Sequence, residues 1–479
     1  MKQGLPQWLT SRRWPFLLNG LLVGMFLLSA CAYSGSSPGV NSPAVSSPSM
    51  CIPPRSDSGS GSPSQSVFIG PWFGGNNQSS ISTLRADDGT LRWQDKTDVS
   101  KPTVITDGGV VYVAGQVVTG PSLFSIVYAL RASDGAVLWK TSLDTTAVSW
   151  LFLWQKQLFA LDLLGGTIFS LQSANGKLLW STSTSPVFSQ QPIFSQQIVD
   201  GVLYVTVNDV VSAHGSLYAF DAQRGTRLWQ YGAYYGFILQ PFVLDGVVYI
   251  TDVPPLLRQH DHSRVVALQA SDGMPLWQYD QKDAAGFSPP VVSNGVVYLG
   301  NSNILAGRNA YLYALQAKNG TLLWKTDTGT RDNIDEAPLI MEGIVYLSTV
   351  FHPTLLALRA HDGTLLWKNS HEFIPGMNPQ PGWLISRDAV YAVDGKTSVS
   401  ALCPSNGKAF WRTPLASARG PLDTSVAVVD GSVYITDSLS GTLYTLKTQD
   451  GSQVWRYRIT PFPSDVTTNI DVSLSIAVG

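Results

Sequence analysis

The stretch VYALRASDGAVLW, residues 127–139, recurs along most of the chain and decides its fold. Versions of it end at nine tryptophans that are spaced about 45 residues apart on average. These are Trp93, Trp139, Trp180, Trp229, Trp277, Trp324, Trp367, Trp411 and Trp455. A period of ~40–50 residues is typical of β-propeller blades with four strands each. Nine of the chain's fifteen tryptophans occupy this one position, so we interpret them as core residues that pack between neighbouring blades.

Each copy has the pattern of a β-hairpin. Residues 127–130 are apolar, aromatic or β-branched, which favours a strand, and Asp134-Gly135 provides a tight turn before the return strand. A second hairpin precedes the copies, as at Asn294-Gly295. Two hairpins in each period make four strands, and strands that are apolar on both faces must be covered on both sides. The sequence therefore predicts an all-β protein, a closed β-propeller of four-stranded blades.

The two ends of the repeat region indicate how the ring closes. Nine copies predict nine blades, and eight blades are the alternative if one divergent copy is absorbed elsewhere. Only the short apolar segment 67–70 precedes the first copy, whereas residues 468–479 form a strand-like segment that no copy follows. The first copy lacks an innermost strand, and the C-terminal segment is a strand without a blade of its own. We therefore expect the C-terminal strand to complete the first blade and to close the ring.

The first 31 residues have the pattern of a targeting segment. Basic residues precede an apolar run at residues 16–28, which is shorter than the ~20 residues that a membrane-spanning helix needs. The run ends in LSAC at residues 28–31, which resembles the bacterial lipobox, a signal for lipidation of its cysteine. We expect residues 1–31 to be a lipoprotein signal peptide with Cys31 as the lipidation site. The protein would then be extracytoplasmic and lipid-anchored to the cell membrane or outer membrane of a bacterium; the sequence leaves the Gram type open.

Residues 32–65 are rich in Ser, Gly and Pro and predict a flexible tether, because such a segment cannot bury enough apolar surface to fold. The repeat region follows as residues 66–479. Cys51 lies in the tether and Cys403 in the repeat region, in a compartment where disulfides persist. A bond between these two cysteines and two free thiols are equally compatible with the sequence.

Charge excludes one class of partner. The net charge is −2, and charged residues make up only 13% of the chain, about half of the ordinary share. No basic run indicates nucleic-acid binding. We expect the protein to be a monomer. Its expected partners are the membrane, through its lipid, and a protein of the cell envelope.

The best-kept copy, LYAFDAQRGTRLW at residues 217–229, resembles the repeat of the pyrroloquinoline quinone (PQQ)-type propeller family. The resemblance extends over nearly all of residues 66–479. That family includes PQQ-dependent alcohol and sugar dehydrogenases. It also includes non-enzymatic propellers, among them the lipoprotein of the outer-membrane β-barrel assembly machine. We interpret this chain as a lipoprotein member that resembles the latter.

The resemblance implies two functional hypotheses. A quinoprotein dehydrogenase would need PQQ, a calcium site built from Glu, Asn and Asp, a catalytic aspartate and, in the alcohol-oxidising branch, adjacent cysteines. The chain has no adjacent cysteines, and most copies lack the aspartate of the repeat. Its replacements include Arg131, Gln172, Gln269, Gln316 and Arg359. We therefore favour a non-catalytic, membrane-tethered scaffold that binds a protein or a ligand, with no catalytic residue, cofactor or metal. A PQQ-dependent dehydrogenase is the alternative.

Candidate binding residues follow from the path of the chain. Within each blade both tight turns must lie on one face, so the longer connections gather on the opposite face, and variable loops on a rigid scaffold are where binding usually resides. These connections are residues 115–125, 231–240, 252–263, 300–309, 329–336 and 371–380. Their candidate binding residues are Tyr234, Tyr235, His260, His262, Arg331, Asp335, Glu336 and His371. His260 and His262 are of metal-ligand type, but a structural site needs three or four ligands, so we predict a polar loop there.

Overall fold

A computed structural model of the protein provides the structure. The chain divides into two units, residues 1–46 and 47–479, and all described residues belong to the second unit. The described residues are 51, 53–54, 65–73, 79–97, 99–119, 122–145, 148–162, 165–184, 193–209, 212–254, 262–281, 286–302, 309–330, 332–349, 354–370, 383–386, 388–393, 398–415, 426–437, 440–458 and 475–478. The predictions for Cys31, His260, Arg331 and His371 lie outside these residues.

The described residues form β-strands and turns, and they include no helix that is long and apolar enough to cross a membrane. Blade 1 contains β1 (Ser66–Phe73), β2 (Ser79–Arg85) and β3 (Leu91–Thr97). Blade 2 contains β4 (Ser100–Asp107), β5 (Val110–Thr119), β6 (Ser122–Arg131) and β7 (Val137–Leu143). Blade 3 contains β8 (Val148–Trp154), β9 (Gln157–Asp162), β10 (Thr167–Gln172) and β11 (Leu178–Ser183). Blade 4 contains β12 (Ile193–Val199), β13 (Val202–Asp209), β14 (His214–Asp221) and β15 (Arg227–Gly232).

In the next two blades the first strand is broken into two pieces. Blade 5 contains β16 (Phe237–Ile238), β17 (Phe242–Leu244), β18 (Val247–Val253), β19 (Ser263–Gln269) and β20 (Pro275–Gln281). Blade 6 contains β21 (Gly286–Phe287), β22 (Val291–Ser293), β23 (Val296–Ser302), β24 (Tyr311–Gln316) and β25 (Leu322–Asp327). Blade 7 contains β26 (Leu339–Met341), β27 (Ile344–Ser348), β28 (Thr354–Arg359) and β29 (Leu365–Ser370). Blade 8 contains β30 (Trp383–Ile385), β31 (Val390–Val393), β32 (Ser398–Leu402) and β33 (Ala409–Pro414). Blade 9 contains β34 (Val426–Val429), β35 (Ser432–Asp437), β36 (Thr442–Lys447) and β37 (Gln453–Arg458), and β38 (Ser475–Val478) follows it.

The ring closes between the two ends of the repeat region. Strand β38 pairs antiparallel with β1, from Val67 opposite Val478 to Gly70 opposite Ser475, so that blade 1 has the order β3-β2-β1-β38. In this position β38 contacts β4, as the first strands of other neighbouring blades contact each other. The described strands thus form nine four-stranded blades, which confirms the predicted β-propeller, its count of nine rather than eight, and its closure by the C-terminal strand.

Burial differs across a blade. The middle strands are buried on both faces, as in β27 and β28, whereas outermost strands such as β11 alternate between exposed and half-buried residues. The expectation that all four strands are apolar on both faces is therefore wrong for the outermost strand. Neighbouring blades diverge with distance from the axis, so the outer strand keeps one face in solvent. The core consists of the layers between blades.

The repeated tryptophans join each blade to the next one. In every case the indole Nε1 donates to a backbone carbonyl in the motif turn of the following blade. The bonds are Trp93 to Ala132 (2.8 Å), Trp139 to Ser173 (2.9 Å), Trp180 to Gln223 (3.0 Å), Trp229 to Ala270 (2.9 Å), Trp277 to Ala317 (2.8 Å), Trp324 to Ala360 (3.2 Å), Trp367 to Pro404 (2.7 Å), Trp411 to Thr448 (2.8 Å) and Trp455 to Ala86 (2.9 Å). The ninth bond runs from the last blade to the first, so the same contact also seals the closure of the ring.

The two tight turns of a blade differ in conformation. In the turn between the first two strands of blade 6, both Asn294 (φ +49°) and Gly295 (φ +74°) are left-handed, as a two-residue hairpin turn requires. In the motif turn only Gly320 is left-handed (φ +73°), and the strand register shifts after it. Gly320 also lies beneath the indole of Trp277 from the preceding blade. The motif glycine is therefore needed both for its backbone angle and for its missing side chain.

These two glycines provide a matched pair for a stability measurement. A Cβ at Gly320 would overlap Cε3 of Trp277, whereas a Cβ at Gly295 would have no atom within 4 Å, and both backbones are left-handed. We expect Gly295→Ala to lower the free energy of unfolding by about 1 kcal/mol, the cost of the backbone angle. Gly320→Ala should cost about 2–4 kcal/mol because the indole must also move. Urea denaturation of both variants measures the difference; equal costs would show that the indole contact contributes nothing.

Both tight turns of a blade lie on one face of the ring, as predicted. The backbone N–H of Ala317 in the motif turn donates to the carbonyl of Gly295 in the other turn at 2.9 Å, and the same bond recurs in other blades. We call this side the tight-turn face. The opposite side, which carries the longer connections within and between blades, is the loop face.

A disulfide joins Cys51 to Cys403, with their Cα atoms 5.5 Å apart. This decides between the two possibilities that the sequence left open. Cys403 is buried, at 1% exposure, whereas Cys51 is exposed and covers it from outside. The hydroxyl of Ser405 lies 3.2 Å from the Cys51 sulfur and 3.3 Å from the Cys403 sulfur.

Candidate functional site

A cluster of aromatic and charged side chains lies on the loop face at blade 5. It comprises Tyr234, Tyr235, His262, Arg264 and Asp280, and we call it the aromatic platform. The two tyrosines belong to the link between β15 of blade 4 and β16 of blade 5, and the other residues come from the loop-face ends of β19 and β20 or beside them. Three of the predicted candidates, Tyr234, Tyr235 and His262, are therefore brought together by the fold.

A buried ion pair forms the base of the platform. Asp252 at the end of β18 lies directly opposite Arg264 of β19 in the strand register. Their side chains meet twice, from Arg264 Nη2 at 2.9 Å and from Nε at 3.0 Å, both to Asp252 Oδ2. The Asp252 side chain is fully buried and that of Arg264 is 10% exposed. Breaking such a buried pair by removing one partner is costly, because the other charge is then left uncompensated.

The same carboxylate fixes the backbone of the link. Asp252 accepts the N–H groups of Tyr234 at 2.7 Å, Tyr235 at 3.0 Å and Gly236 at 3.1 Å. Three consecutive backbone donors directed at one carboxylate form an anion-binding turn, here occupied by the protein's own side chain. The link between blades 4 and 5 is thus held in one conformation by a residue from within the sheet.

Arg264 supports the two tyrosine rings. Its guanidinium carbon lies 4.9 Å from the ring centre of Tyr234 and 5.4 Å from that of Tyr235, within the range of cation–π attraction. The rings themselves are nearly perpendicular, with centres 5.0 Å apart. Tyr234 is nevertheless 75% exposed, the highest exposure among the large hydrophobic residues of the described chain. A large aromatic ring is therefore presented to solvent on a fixed support.

Polar groups surround the rings. The hydroxyl of Tyr235 donates to Asp280 at 3.3 Å, and its ring centre lies 5.9 Å from that of His262. Burial, and secondarily the negative charge of Asp280, raises the pKa of Tyr235, so this hydroxyl stays protonated and remains a donor at neutral pH. The arrangement offers an aromatic surface with hydrogen-bonding groups at its edge. Tyr and Arg anchors of this kind dominate the energetics of protein interfaces.

The charged candidates Asp335 and Glu336 lie elsewhere, on the link between blades 6 and 7. That link is fastened to the propeller by Ile334, which is fully buried and packs on Gly300 of β23. Burial raises the pKa of Glu336, although hydrogen bonds from Ser348 and Trp383 oppose the shift. Blade 6 lies between the platform and the link that carries this acidic pair, so the two do not form one site.

Sequence reasoning missed the Asp252–Arg264 pair, although a signal for it exists. Both residues are charged positions within runs of apolar and β-branched residues, VVYITDV and SRVVALQ. They lie opposite each other in the register of β18 and β19, but a long connection joins these strands, so the sequence alone does not fix the pairing. Opposite charges at facing, otherwise apolar strand positions indicate a buried pair. Within the described residues there is no group of three or more His, Cys, Asp or Glu that could hold a metal ion.

Comparison with protein families gives a match over most of the propeller. The family model described as "Outer membrane protein assembly factor BamB" matches residues 77–232, 164–311 and 261–422. The three ranges overlap because the repeat allows the same model to fit in successive positions along the chain. Together they cover well over half of the sequence.

Individual relatives are more distant. The chain is 27% identical to outer membrane protein assembly factor BamB of Yersinia pestis over 244 residues, which are 48% of this chain and 56% of that protein. It therefore spans about half the length of this curated relative. A shorter match, 32% identical over 109 residues, covers 22% of this chain and 17% of quinoprotein alcohol dehydrogenase PedH of Pseudomonas putida. Among solved structures, the computationally designed Ika8 protein has a TM-score of 0.50 at 14% identity, covering 76% of this chain and 97% of its own, a likeness of fold alone.

Proposed function

Because the chain belongs to the family described as outer membrane protein assembly factor BamB, we propose that it is a non-catalytic, lipid-anchored scaffold that binds a protein in the cell envelope. The anchor is Cys31, and the binding surface is the loop face with the aromatic platform. The relatives' name suggests that the partner belongs to the machinery that assembles outer-membrane proteins. The observation that carries the proposal is the exposed Tyr234 ring, held on the buried Asp252–Arg264 pair.

A binding role explains why the propeller contains a buried ion pair beneath the two tyrosine rings. A buried ion pair seldom stabilises a fold more than apolar residues of similar size would. Here the pair orders a link and supports two aromatic rings. One of these rings, that of Tyr234, is mostly exposed to solvent and contributes little apolar burial to the fold. Pre-ordered aromatic residues lose little entropy on binding and so contribute efficiently to affinity.

The binding proposal is tested by crosslinking in cells. A photo-activatable amino acid at Tyr234 should capture an envelope protein, whereas one at Lys318, an exposed residue of a motif turn on the tight-turn face, should capture little. Tyr234→Ala should weaken capture from a neighbouring loop position such as Ala233 without changing the unfolding temperature. Capture mainly from Lys318, or capture unaffected by Tyr234→Ala, would contradict the proposal. A PQQ absorption band in the purified protein would instead favour the dehydrogenase alternative.

The lipid anchor has its own test. Cys31→Ser should abolish lipid attachment, so that the variant is found in the soluble fraction or is not processed, while wild type sediments with membranes. The physical reason is that the apolar run before Cys31 is too short to span a bilayer, so the lipid provides the attachment. Ala32→Ser serves as the matched control. A Cys31→Ser variant that fractionates and matures like wild type would rule the anchor out.

A further inference from the structure

The disulfide between Cys51 and Cys403 lies on the tight-turn face, in the motif turn of blade 8. The N–H of Cys403 donates to the carbonyl of Lys408 at 2.8 Å, and the N–H of Gly407 donates to the carbonyl of Cys403 at 2.9 Å. Asp221 and Gly225 make the corresponding bonds in blade 4. The cross-link therefore joins the N-terminal chain to a regular turn of the propeller, at the position where blade 4 has its repeat aspartate.

This turn is one of the firmly held points of the ring. The carbonyl of Pro404, next to Cys403, accepts both the indole N–H of Trp367 at 2.7 Å and the hydroxyl of Tyr346 at 3.2 Å, and both donors belong to blade 7. The glycine of the turn, Gly407, lies beneath the Trp367 ring. A pull on Cys403 is consequently shared between two blades.

The chain also enters the propeller on this face. The carbonyl of Gln65, which precedes β1, accepts the N–H of Ala86 in the motif turn of blade 1 at 3.2 Å. Its side-chain amide donates to Asp430, in the tight turn of blade 9. Cys51 and Gln65 are thus both attached to the tight-turn face, at blade 8 and at the junction of blades 9 and 1.

We propose that the disulfide moors the membrane anchor to blade 8, so that the tight-turn face is turned toward the lipid surface and the loop face, with the aromatic platform, is directed away from it. The proposal rests on the lipid anchor at Cys31 put forward above. It assigns the two faces of the ring different roles: one faces the membrane, and the other is left open to a partner.

Chain length gives the mooring a measurable consequence. Cys51 is 20 residues from Cys31, and Gln65 is 34 residues from it. At ~3.4 Å per residue for a fully extended chain, the attachment point can be at most about 70 Å from the lipid with the disulfide and about 115 Å without it. With the disulfide, a pull on the lipid anchor acts on Cys403 in blade 8 and not on β1. Strand β1 belongs to blade 1, whose sheet is completed by the separate strand β38.

Trypsin can test the mooring, because Arg55 is the single lysine or arginine between residues 32 and 65. Full-length protein in native membranes is cleaved after Arg55, and the membranes are sedimented with and without dithiothreitol. We expect the cleaved propeller to stay in the pellet through the disulfide and to be released by dithiothreitol. Cys403→Ser should be released by trypsin alone, and Arg55→Gln should stay in the pellet in every condition. Release of wild type by trypsin without reductant would overturn the proposal.

Failure of the anchor and failure of the mooring give different results. If the protein never sediments with membranes, the lipid anchor is wrong; a Cys51–Cys403 peptide in a non-reducing digest still shows whether the cross-link exists. For the orientation, a fluorescent amino acid is placed at Lys318 or at Tyr234, and energy transfer to labelled lipid headgroups is measured. We expect stronger transfer from position 318, and weaker transfer from it in Cys403→Ser. Equal transfer from both faces would refute the assignment of the tight-turn face to the membrane.

Discussion

Removal of residues 472–479 should open the ring and produce a protein that associates with itself. These residues contain β38, which provides blade 1 with its first strand. Without it, β1 becomes a sheet edge, and Val67, Phe68 and Ile69, now at most 2% exposed, are opened along that edge, although their faces stay packed on blades 9 and 2. An exposed apolar edge is a template for pairing with another chain. We expect dimers or larger species that increase with concentration, whereas we expect the wild-type protein to stay a monomer.

The loss of stability should be large because several effects coincide. Burial of one large apolar side chain contributes about 1.5–3 kcal/mol, and part of this contribution is lost at three residues while the hydrogen bonds of β38 disappear. The contact between β38 and β4 is lost as well, so blade 2 is also weakened. We expect the unfolding temperature to fall by on the order of 5–10 °C, given the shallow dependence of this temperature on free energy in large domains. Calorimetry and light scattering measure the two outcomes.

A peptide provides the control. The segment VSLSIAVG, added to the truncated protein, should occupy the empty strand position and restore both the monomer and the unfolding temperature, since an open edge accepts a complementary strand. A scrambled peptide of the same composition should not. A truncated protein that stays monomeric and unfolds at the wild-type temperature would show that the ring does not depend on β38.

The repeat made the fold predictable because each copy encodes local chemistry that recurs at a fixed spacing. Trp277 and Gly320 belong to neighbouring copies, yet the sequence alone places them at equivalent positions, and their stacking repeats at every blade boundary. The difference between the turns at Asn294 and Asn319 could not be foreseen from their identical Asn-Gly dipeptides. The motif turn is accompanied by a register shift and lies under an indole of the preceding blade, and neither feature can be read from the dipeptide.

The site was less predictable because its residues depart from the repeat. Tyr234 and Tyr235 were recognisable as surplus aromatics in a link, but their support by Arg264 depends on a contact between a link and a neighbouring strand. The Cys51–Cys403 bond joins positions 352 residues apart. No periodicity predicts such a bond, since Cys51 precedes the repeat region, and only the closed ring brings the motif turn of blade 8 near the start of the chain.

Asp252→Asn should cause a severe loss of stability for a single substitution and should also remove binding. The change leaves the Arg264 guanidinium buried without its counter-charge, which typically costs about 3–5 kcal/mol. It also exchanges one acceptor oxygen for an amide donor that faces the N–H groups of Tyr234, Tyr235 and Gly236. The link should therefore lose its fixed conformation. Asp280→Asn is the matched control, because this exposed residue should change stability by at most ~0.5 kcal/mol.

A second substitution separates the two effects of Asp252. In Asp252→Asn/Arg264→Met the unpaired charge is gone, so urea denaturation should show recovery of most of the lost stability, since apolar residues often replace a buried ion pair at little cost. The tyrosines would still lack both the cation beneath their rings and the carboxylate that orders their backbone. Crosslinking from the link should therefore stay low although the propeller is folded. Full recovery of crosslinking in the double variant would mean that the buried pair serves only the fold, and that the partner recognises the tyrosines without it.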